Sequence, residues 1–473
     1  MRLGCLGGHR VGRNSFLLWA AGRHGYPLFM LKIPKRLLTQ ALRWLYSLLS
    51  SGLAVMWMPA RLFCRTKVSR LRLDERLGRH SQAFKDRLGP KTGPRFWIHA
   101  VSVGEVDVAL CLIEALREKN PHAEFILTTV TRSGHQRAAR CGLMNVHISY
   151  APLDFAGAVR RSFLAFAADI LVLVELEIWP NQLWEANRLG VPIALVNARL
   201  PAGDLRKYRW GRWFMKDVFG LLSVVCAQTK EDAEAFHAMG VERGRIHITG
   251  SMKMDAAIRK AERPLDAARV GGPEIWNAIA QRTWLVGGST HPGEEAILFE
   301  MLLRMKMEFP GLLLAVAPRD TSRAKKLVRV ARQKGLTCLL WSEVLAPGYQ
   351  IGAEFTVLVI DTIGDLDDFY RFARVVFVGK SLTARGGQNP MEPTAASRAV
   401  IFGPSMENFD SVVRCFLQSG AAIQVSNAEE LESEVIRLLG DSKAAEALGQ
   451  AARAVVLAQA GATRQTVQLL GGS

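Results

Sequence analysis

The sequence lacks the marks of several specialised chemistries. Its seven cysteines (Cys5, Cys64, Cys111, Cys141, Cys226, Cys338 and Cys415) are scattered, with no CxxC pair and no His/Cys cluster. That excludes a disulfide scaffold and a zinc module, and it suits a reducing compartment. Neither GxxxxGK[ST] nor GxGxxG occurs, so the chain has no P-loop and no dinucleotide fingerprint. There is no Asp-rich metal motif, and His99, His135 and His291 do not have metal-ligand spacing. Apolar residues at 49% and charged residues at 22% exclude a disordered chain, a collagen-like repeat and a polytopic transporter. Acidic residues are scarce at one end only. Residues 1–95 hold 19 Lys/Arg against 3 Asp/Glu, and the remainder holds 42 against 40.

Basic charge so concentrated points to an anionic surface, a membrane leaflet or a nucleic acid. No nucleic-acid-binding motif accompanies it, and an apolar run leads straight into it, so a nucleic-acid partner is not expected. Residues 1–36 carry seven basic and no acidic residues and read as an unfolded basic tail. A signal peptide fits poorly, and Met30, opening onto Lys32–Arg36, is an alternative start. From Leu37 to Ala60 the only charge is Arg43. The 17-residue run Trp44–Ala60 is broken by Ser47, Ser50, Ser51 and Gly52 and stopped by Pro59. A spanning helix needs about 20 apolar residues, so this run reads as a membrane-embedded or interfacial anchor. Trp44, Tyr46 and Trp57 suit the headgroup level. Arg61, Arg65, Lys67, Arg70, Arg72, Arg76 and Arg79 would lie on anionic lipid. The competing reading is a buried core helix.

At 473 residues the chain can hold two or three domains with a sizeable core. From Arg95 onward, short β-branched runs alternate with amphipathic stretches, the pattern of βαβ units around a parallel sheet. The alternation occurs twice. It predicts an α/β fold of two Rossmann-like doubly wound domains facing a cleft, with ligands at the carboxyl ends of the strands. The expected boundaries are a basic tail at 1–36, anchor and basic helical segment at 37–94, a first domain at 95–255, a linker at 256–282 and a second domain at 283–473.

Polar residues at predicted strand ends carry the candidate chemistry. Glu105 follows a strand and the turn-permitting Gly104. There it can be a general base, or a first-turn acid favoured by the helix dipole. Glu175 and Glu177, in an extended strand, would share a face, and two carboxylates there are costly unless used or paired. Lys253 also ends a strand; near carboxylates it would be an anion ligand or a transition-state cation. Gly287-Gly288-Ser289-Thr290-His291-Pro292-Gly293-Glu294-Glu295 reads as a strand-to-helix turn offering N–H groups to an anion. Arg319, after Pro318, suits bidentate phosphate binding. Asp361–Leu366 ends another strand. The loop Gly386-Gly387-Gln388-Asn389-Pro390-Met391-Glu392-Pro393 feeds a helix N-terminus. Its amides could take a phosphate and Glu392 a ribose diol, unless it is a plain turn.

Five segments, in order, resemble the 3-deoxy-D-manno-octulosonic acid (Kdo) transferases of lipopolysaccharide synthesis. They are Trp97–Glu105, Glu175–Asn181, Val196–Leu200, Ser289–Glu295 and Gly386–Pro393. The resemblance runs from about residue 37 to the end. It implies a GT-B glycosyltransferase anchored at the cytoplasmic face of the inner membrane. Such an enzyme transfers Kdo from CMP-Kdo to a lipid A precursor (lipid IVA), releasing CMP with inversion and without a metal or other cofactor. By similarity Glu105 is the general base, and Glu175 and Lys253 stabilise the transition state. Pro318, Arg319, Ile363, Gly364, Asp365, Asn389, Pro390, Met391 and Glu392 bind CMP. Three positions depart from the family's usual residues: Gln388 for His, Lys380 for Gly and Asp365 for Glu. Other readings are a GT-B transferase using a UDP-sugar, and a non-catalytic module binding lipid A or a sugar nucleotide.

Overall fold

The computed structural model describes residues 15–16, 33–34, 40–50, 52, 73–201, 212–265, 273–346, 349 and 355–471. Most of the predicted basic tail therefore lies outside the described residues. Within it, β1 (Ser15–Phe16) pairs antiparallel with β2 (Ile33–Pro34). The rest divides into two compact units. The first holds residues up to Glu105, Asn120–Ala138 and Gly142–Ile248; the second holds Val106–Lys119, Ala139–Cys141 and Thr249–Ser473.

The first unit is built on a seven-stranded sheet. Its strands are β3 (Arg95–His99), β4 (Glu124–Thr129), β5 (Val146–Tyr150), β6 (Ile170–Val174), β7 (Ile193–Ala198), β8 (Val224–Ala227) and β9 (Ile246–Ile248). They lie in the order β5-β4-β3-β6-β7-β8-β9, and every pairing is parallel. β3, β4, β6 and β7 are buried at every residue. Apolar runs of this kind are what a sheet covered on both faces requires. The strand order reverses between β3 and β6, the topological switch point where such sheets bind ligands.

The second unit repeats the plan with β10 (Thr283–Thr290), β11 (Leu312–Pro318), β12 (Cys338–Leu340), β13 (Val357–Val359), β14 (Ala373–Val378), β15 (Ala399–Phe402) and β16 (Ile423–Gln424). Their order is β12-β13-β11-β10-β14-β15-β16, all parallel. Here the switch point lies between β10 and β14. Gly287 and Gly288 lie inside β10 and do not form the expected turn. A Cβ on Gly288 would fall 2.1 Å from the Tyr370 hydroxyl, and one on Gly287 would fall 2.7 Å from Leu298 Cδ1. These glycines admit side chains from neighbouring helices; the turn itself is His291–Gly293.

The stretch expected as a linker contains two structured pieces. Helix Met252–Glu262 buries Met254 and Ala257, and helix Pro273–Ala280 buries Ile275, Trp276 and Ile279, all in the second unit's core. Trp276 packs among Trp341, Phe369 and Phe372. Residues 266–272 lie outside the described residues.

Of the predicted anchor run, residues 44–50 belong to a helix spanning 40–50 that docks on the first unit, while 51 and 53–60 lie outside the described residues. So do Arg61 to Arg72. Tyr46 Oη donates to Asp154 Oδ2 at 2.9 Å, Ser47 Oγ donates to Asn181 Oδ1 at 2.7 Å, and Asn181 Nδ2 donates to Ser50 Oγ at 3.3 Å. The Tyr46 ring meets Trp184 edge-on at 5.6 Å, and the Arg43 guanidinium lies over Trp184. The opposite face stays exposed: Trp44, Leu45, Leu48 and Leu49 show 50–71% of their surface. This docking departs from a wholly buried core helix. Among the described residues no helix is long and apolar enough to cross a membrane.

The dock centres on a buried acid. Asp154 also accepts from the Asn181 and Gln182 backbone N–H groups, yet burial pushes its pKa up to about 6. A carboxyl group whose pKa is higher folded than unfolded takes up its proton earlier in the folded state, so stability rises as pH falls between the two values. On lowering the pH from about 7 to about 4, the wild-type protein should gain roughly 1–3 kcal/mol relative to Asp154→Asn. Urea unfolding midpoints at the two pH values check this; a pH-independent difference would contradict it.

Candidate functional site

In the first unit, two acids lie at the carboxyl ends of the strands flanking the switch point. Glu105 follows β3 as the third residue of helix Val103–Lys119. Ser102 precedes that helix, and the spacing S-x-x-E is that of a capping box. The Glu105 N–H donates to Ser102 Oγ at 3.4 Å. In return Glu105 Oε1 accepts from Ser102 Oγ at 2.7 Å and Oε2 from the Val101 N–H at 2.8 Å. Both oxygens thus close the helix terminus locally. Burial still raises the Glu105 pKa; the Val101 and Ser102 bonds oppose this and the charge of Glu175 adds to it. A carboxylate pushed upward by burial suits a base working near neutral pH. Gly104 is helical with no positive φ, and a Cβ there would meet nothing within 4 Å. Its missing side chain leaves open space beside Glu105 and is not required by a turn.

Glu175 follows β6, and here the structure corrects the sequence reading. It is not extended. Its φ is +63°, in the left-handed region, so Glu175 and Glu177 do not share a strand face. Neighbouring Asn197, in β7, is also left-handed at φ +51° and donates from Nδ2 to Glu175 Oε1 at 3.4 Å. Gln228 Nε2 in turn donates to the Asn197 carbonyl at 2.8 Å. A left-handed non-glycine residue costs about 1–2 kcal/mol, and such residues gather at functional sites. Trp179 Nε1 donates to Glu177 Oε2 at 2.9 Å, and burial raises the Glu177 pKa.

In the second unit the switch-point loops are held by an acid of the Ser289–Glu295 stretch to which the sequence reading gave no role of its own. Glu294 is fully buried and accepts four backbone N–H bonds. Those to Oε2 come from His291 and Lys380, both at 2.8 Å; those to Oε1 come from Ser381 at 3.0 Å and Leu382 at 3.1 Å. One carboxylate thereby fastens the loop after β10 to the loop after β14. Glu295, beside it, takes a bidentate pair from Arg323 at 2.8 and 3.0 Å. Ser289 and Lys380 are left-handed, at φ +53° and +58°. The second value is one that glycine would adopt without strain. Gln388 Nε2 lies 3.4 Å from His291 Nε2.

The predicted nucleotide residues fall at the ends of three strands of this unit. Pro318 ends β11, and the N–H of exposed Arg319 donates to the Thr290 carbonyl at 3.0 Å, joining the ends of β10 and β11. Past β13, Gly364 takes φ +95°, and the Ile363 carbonyl accepts from Arg140. Asp365 is buried; its Oδ2 accepts from Thr362 Oγ1 and, at 3.2 Å, from Trp341 Nε1, so it braces the loop. Past β14, Gly386 and Gly387 take φ +106° and +67°, and a Cβ on Gly387 would fall 2.4 Å from Met406 Sδ. Asn389 Oδ1 accepts from the Met391 N–H at 3.0 Å. The helix that follows Pro390, Met391–Ala395, has only five residues, too short for the dipole-based phosphate site expected from sequence. Met391 is buried, and Glu392 Oε1 lies 2.7 Å from Lys260 Nζ.

Lys253 does not end a strand. β9 stops at Ile248, and Lys253 is the second residue of helix Met252–Glu262, capped by Ser251. That helix packs on Met391–Ala395. Glu105 and Glu175 are thus neighbours in the first unit, and Lys253 belongs to the second. Among the described residues, no group of three or more His, Cys, Asp or Glu side chains is arranged to hold a metal ion.

Glu294→Gln should destabilise the second unit, because an amide cannot accept from all four donors. Each stranded N–H costs roughly 1–3 kcal/mol. Lys380→Gly, by relieving left-handed strain, should instead be neutral or gain up to about 1 kcal/mol. Thermal unfolding of both variants checks the pair of signs; a neutral Glu294→Gln would contradict the clamp.

Residues 71–256 match the family model described as 3-deoxy-D-manno-octulosonic-acid transferase (kdotransferase). The 3-deoxy-D-manno-octulosonic acid transferase of Bordetella pertussis is 33% identical, over 79% of this chain and 86% of that protein. That of Haemophilus influenzae is 28% identical, over 85% and 91%. Among solved structures, UDP-GlcNAc 2-epimerase from Neisseria meningitidis bound to UDP-GlcNAc superposes with a TM-score of 0.53 at 11% identity, covering 80% of this chain and 100% of that one. This last likeness shows the fold alone, the two-Rossmann-like architecture of GT-B type. With a relative one-third identical over most of both chains, and the family's motifs at the switch points, the chain belongs to the 3-deoxy-D-manno-octulosonic acid transferase family of glycosyltransferases.

Proposed function

We propose that the protein transfers Kdo from CMP-Kdo to a lipid A precursor, lipid IVA, at the cytoplasmic face of the inner membrane. The observation that carries this reading is the pair Glu105 and Glu175 at the β3/β6 switch point, where burial raises the pKa of Glu105. Glu105 accepts the proton of the acceptor hydroxyl as that oxygen bonds to the anomeric carbon of Kdo. The bond from that carbon to the CMP phosphate oxygen breaks, and CMP leaves with the electron pair. Attack opposite the leaving group inverts the anomeric centre. The sugar passes through an oxocarbenium-like state, as glycosyl groups do in hydrolysis. Glu175 meets the positive charge on the sugar, and Lys253 and Arg319 meet the negative charge on the phosphate. Glu392 takes the ribose diol, while Asp365 and Asn389 shape the loops that hold the nucleotide. A monophosphate leaving group offers no diphosphate to chelate, so the step is metal-independent.

The helix at 40–50 supports the membrane placement. One face is latched to the first unit through Tyr46, Ser47 and Ser50, and the other presents Trp44, Leu45, Leu48 and Leu49. An apolar face beside a chain segment dense in Arg and Lys suits the interface of an anionic bilayer.

Incubation with CMP-Kdo and a tetra-acylated lipid A precursor should add Kdo mass to the lipid, read by mass spectrometry, and should continue in EDTA. A mass gain from a UDP-sugar only would overturn the donor assignment. Complete, reversible loss on chelation would overturn the metal-independent step.

A further inference from the structure

Glu392, the acid assigned to the ribose, is held by a charge hub. Lys260 Nζ lies 2.7 Å from Glu392 Oε1, 2.7 Å from Asp107 Oδ2 and 3.2 Å from Asp367 Oδ2. The four side chains are only 9–20% exposed. They sit on helices Val103–Lys119, Met252–Glu262, Leu366–Tyr370 and Met391–Ala395, and all four residues belong to the second unit. An ammonium has three N–H donors, and here it faces three carboxylates. The buried Tyr370 ring completes the surroundings and feels the charges of Glu392, Asp367 and Lys260. Removing the cation would leave three acids repelling one another in a partly dry site. Such loss of one partner disturbs a buried cluster more than loss of the whole cluster.

We propose that Lys260 is a positioning residue for the nucleotide. It fixes Glu392 so that its carboxylate can accept from the ribose diol, and it offsets acidic charge that would otherwise repel the nucleotide phosphate. The idea rests on the CMP assignment above. Nothing in the local sequence singles out Lys260, an ordinary member of an amphipathic helix. Glu392 and Asp367 are brought to it by packing of helix Met391–Ala395 against Met252–Glu262 and Leu366–Tyr370, and Asp107 comes from helix Val103–Lys119.

The test is calorimetric binding of CMP and of its 2′- and 3′-deoxy forms to the full-length protein. Wild type should prefer CMP to at least one deoxy form by roughly tenfold or more, as expected for a hydrogen bond to a charged group. Glu392→Gln and Lys260→Met should both collapse that ratio towards one. A Lys260 that merely stabilised the fold would lower affinity for all three ligands alike, so a wild-type ratio in folded Lys260→Met would overturn the proposal. If Lys260→Met does not fold, Lys260→Arg keeps the cation but moves its donors. It should then melt near wild type with a reduced ratio, and an unchanged ratio would likewise overturn the proposal. A ratio lost in Glu392→Gln but kept in the Lys260 variants rejects only the role of Lys260. A ratio kept in Glu392→Gln, or no CMP binding by wild type, rejects the ribose assignment together with it.

Discussion

A parallel sheet covered on both faces has no place for charge along its strands, and this constraint organises the whole molecule. In both units the middles of the central strands are apolar, and the polar residues they carry, such as Arg95, His99, Glu124 and Asn197, sit at or near the strand ends, where functional polarity collects. Loops there carry backbone N–H groups with no strand to pair them, and buried acids satisfy these groups. Glu294 does so for four N–H groups, Asp154 for two, and Glu105 for one together with a hydroxyl. The same acids fix loop conformations that glycine or left-handed residues must complete. Substituting Glu294 therefore alters two loops and not only a charge.

Glu105 shows how this constraint meets catalysis. Its two oxygens hold the Ser102 hydroxyl and the Val101 N–H at the helix start, a structural duty that many helix starts could use. Yet open space lies beside Gly104, burial raises its pKa, and Glu175 stands close enough to raise it further. A capping bond to a hydroxyl is exchangeable, because Ser102 Oγ can also donate elsewhere. The same carboxylate can thus hold its helix and also accept a proton from an acceptor hydroxyl.

The double α/β alternation was readable because buried parallel strands leave continuous apolar runs between amphipathic helices. The strand ends were readable too, which is why Glu105, Pro318 and Arg319 could be placed from sequence. What pattern alone could not supply was backbone sign and long-range company. The alternation rule put Glu175 and Glu177 on one face, but a positive φ at Glu175 cancels that rule. Gly287 and Gly288 looked like a turn, although they serve Leu298 and Tyr370 from within a strand. Lys253 sits in the first turn of the helix that follows the strand it was expected to end. The polar stretch after Ala256 hid an apolar stripe, Ile275, Trp276 and Ile279, that only a helical period reveals. Lys260, Asp107 and Asp367 are separated by more than a hundred residues, so nothing local announces their meeting with Glu392.

The claim that most needs a direct measurement is that Glu105 acts on the acceptor proton and does not merely cap its helix. Single-turnover transfer from pre-bound CMP-Kdo separates the two, because it reads the chemical step apart from binding and folding. For Glu105→Gln, whose amide can keep a capping role, the account predicts unchanged CMP-Kdo affinity and near-wild-type melting. The transfer rate should fall by about 10²–10⁴-fold, the usual contribution of a general base. A transfer rate close to wild type in that folded, donor-saturated variant would contradict it.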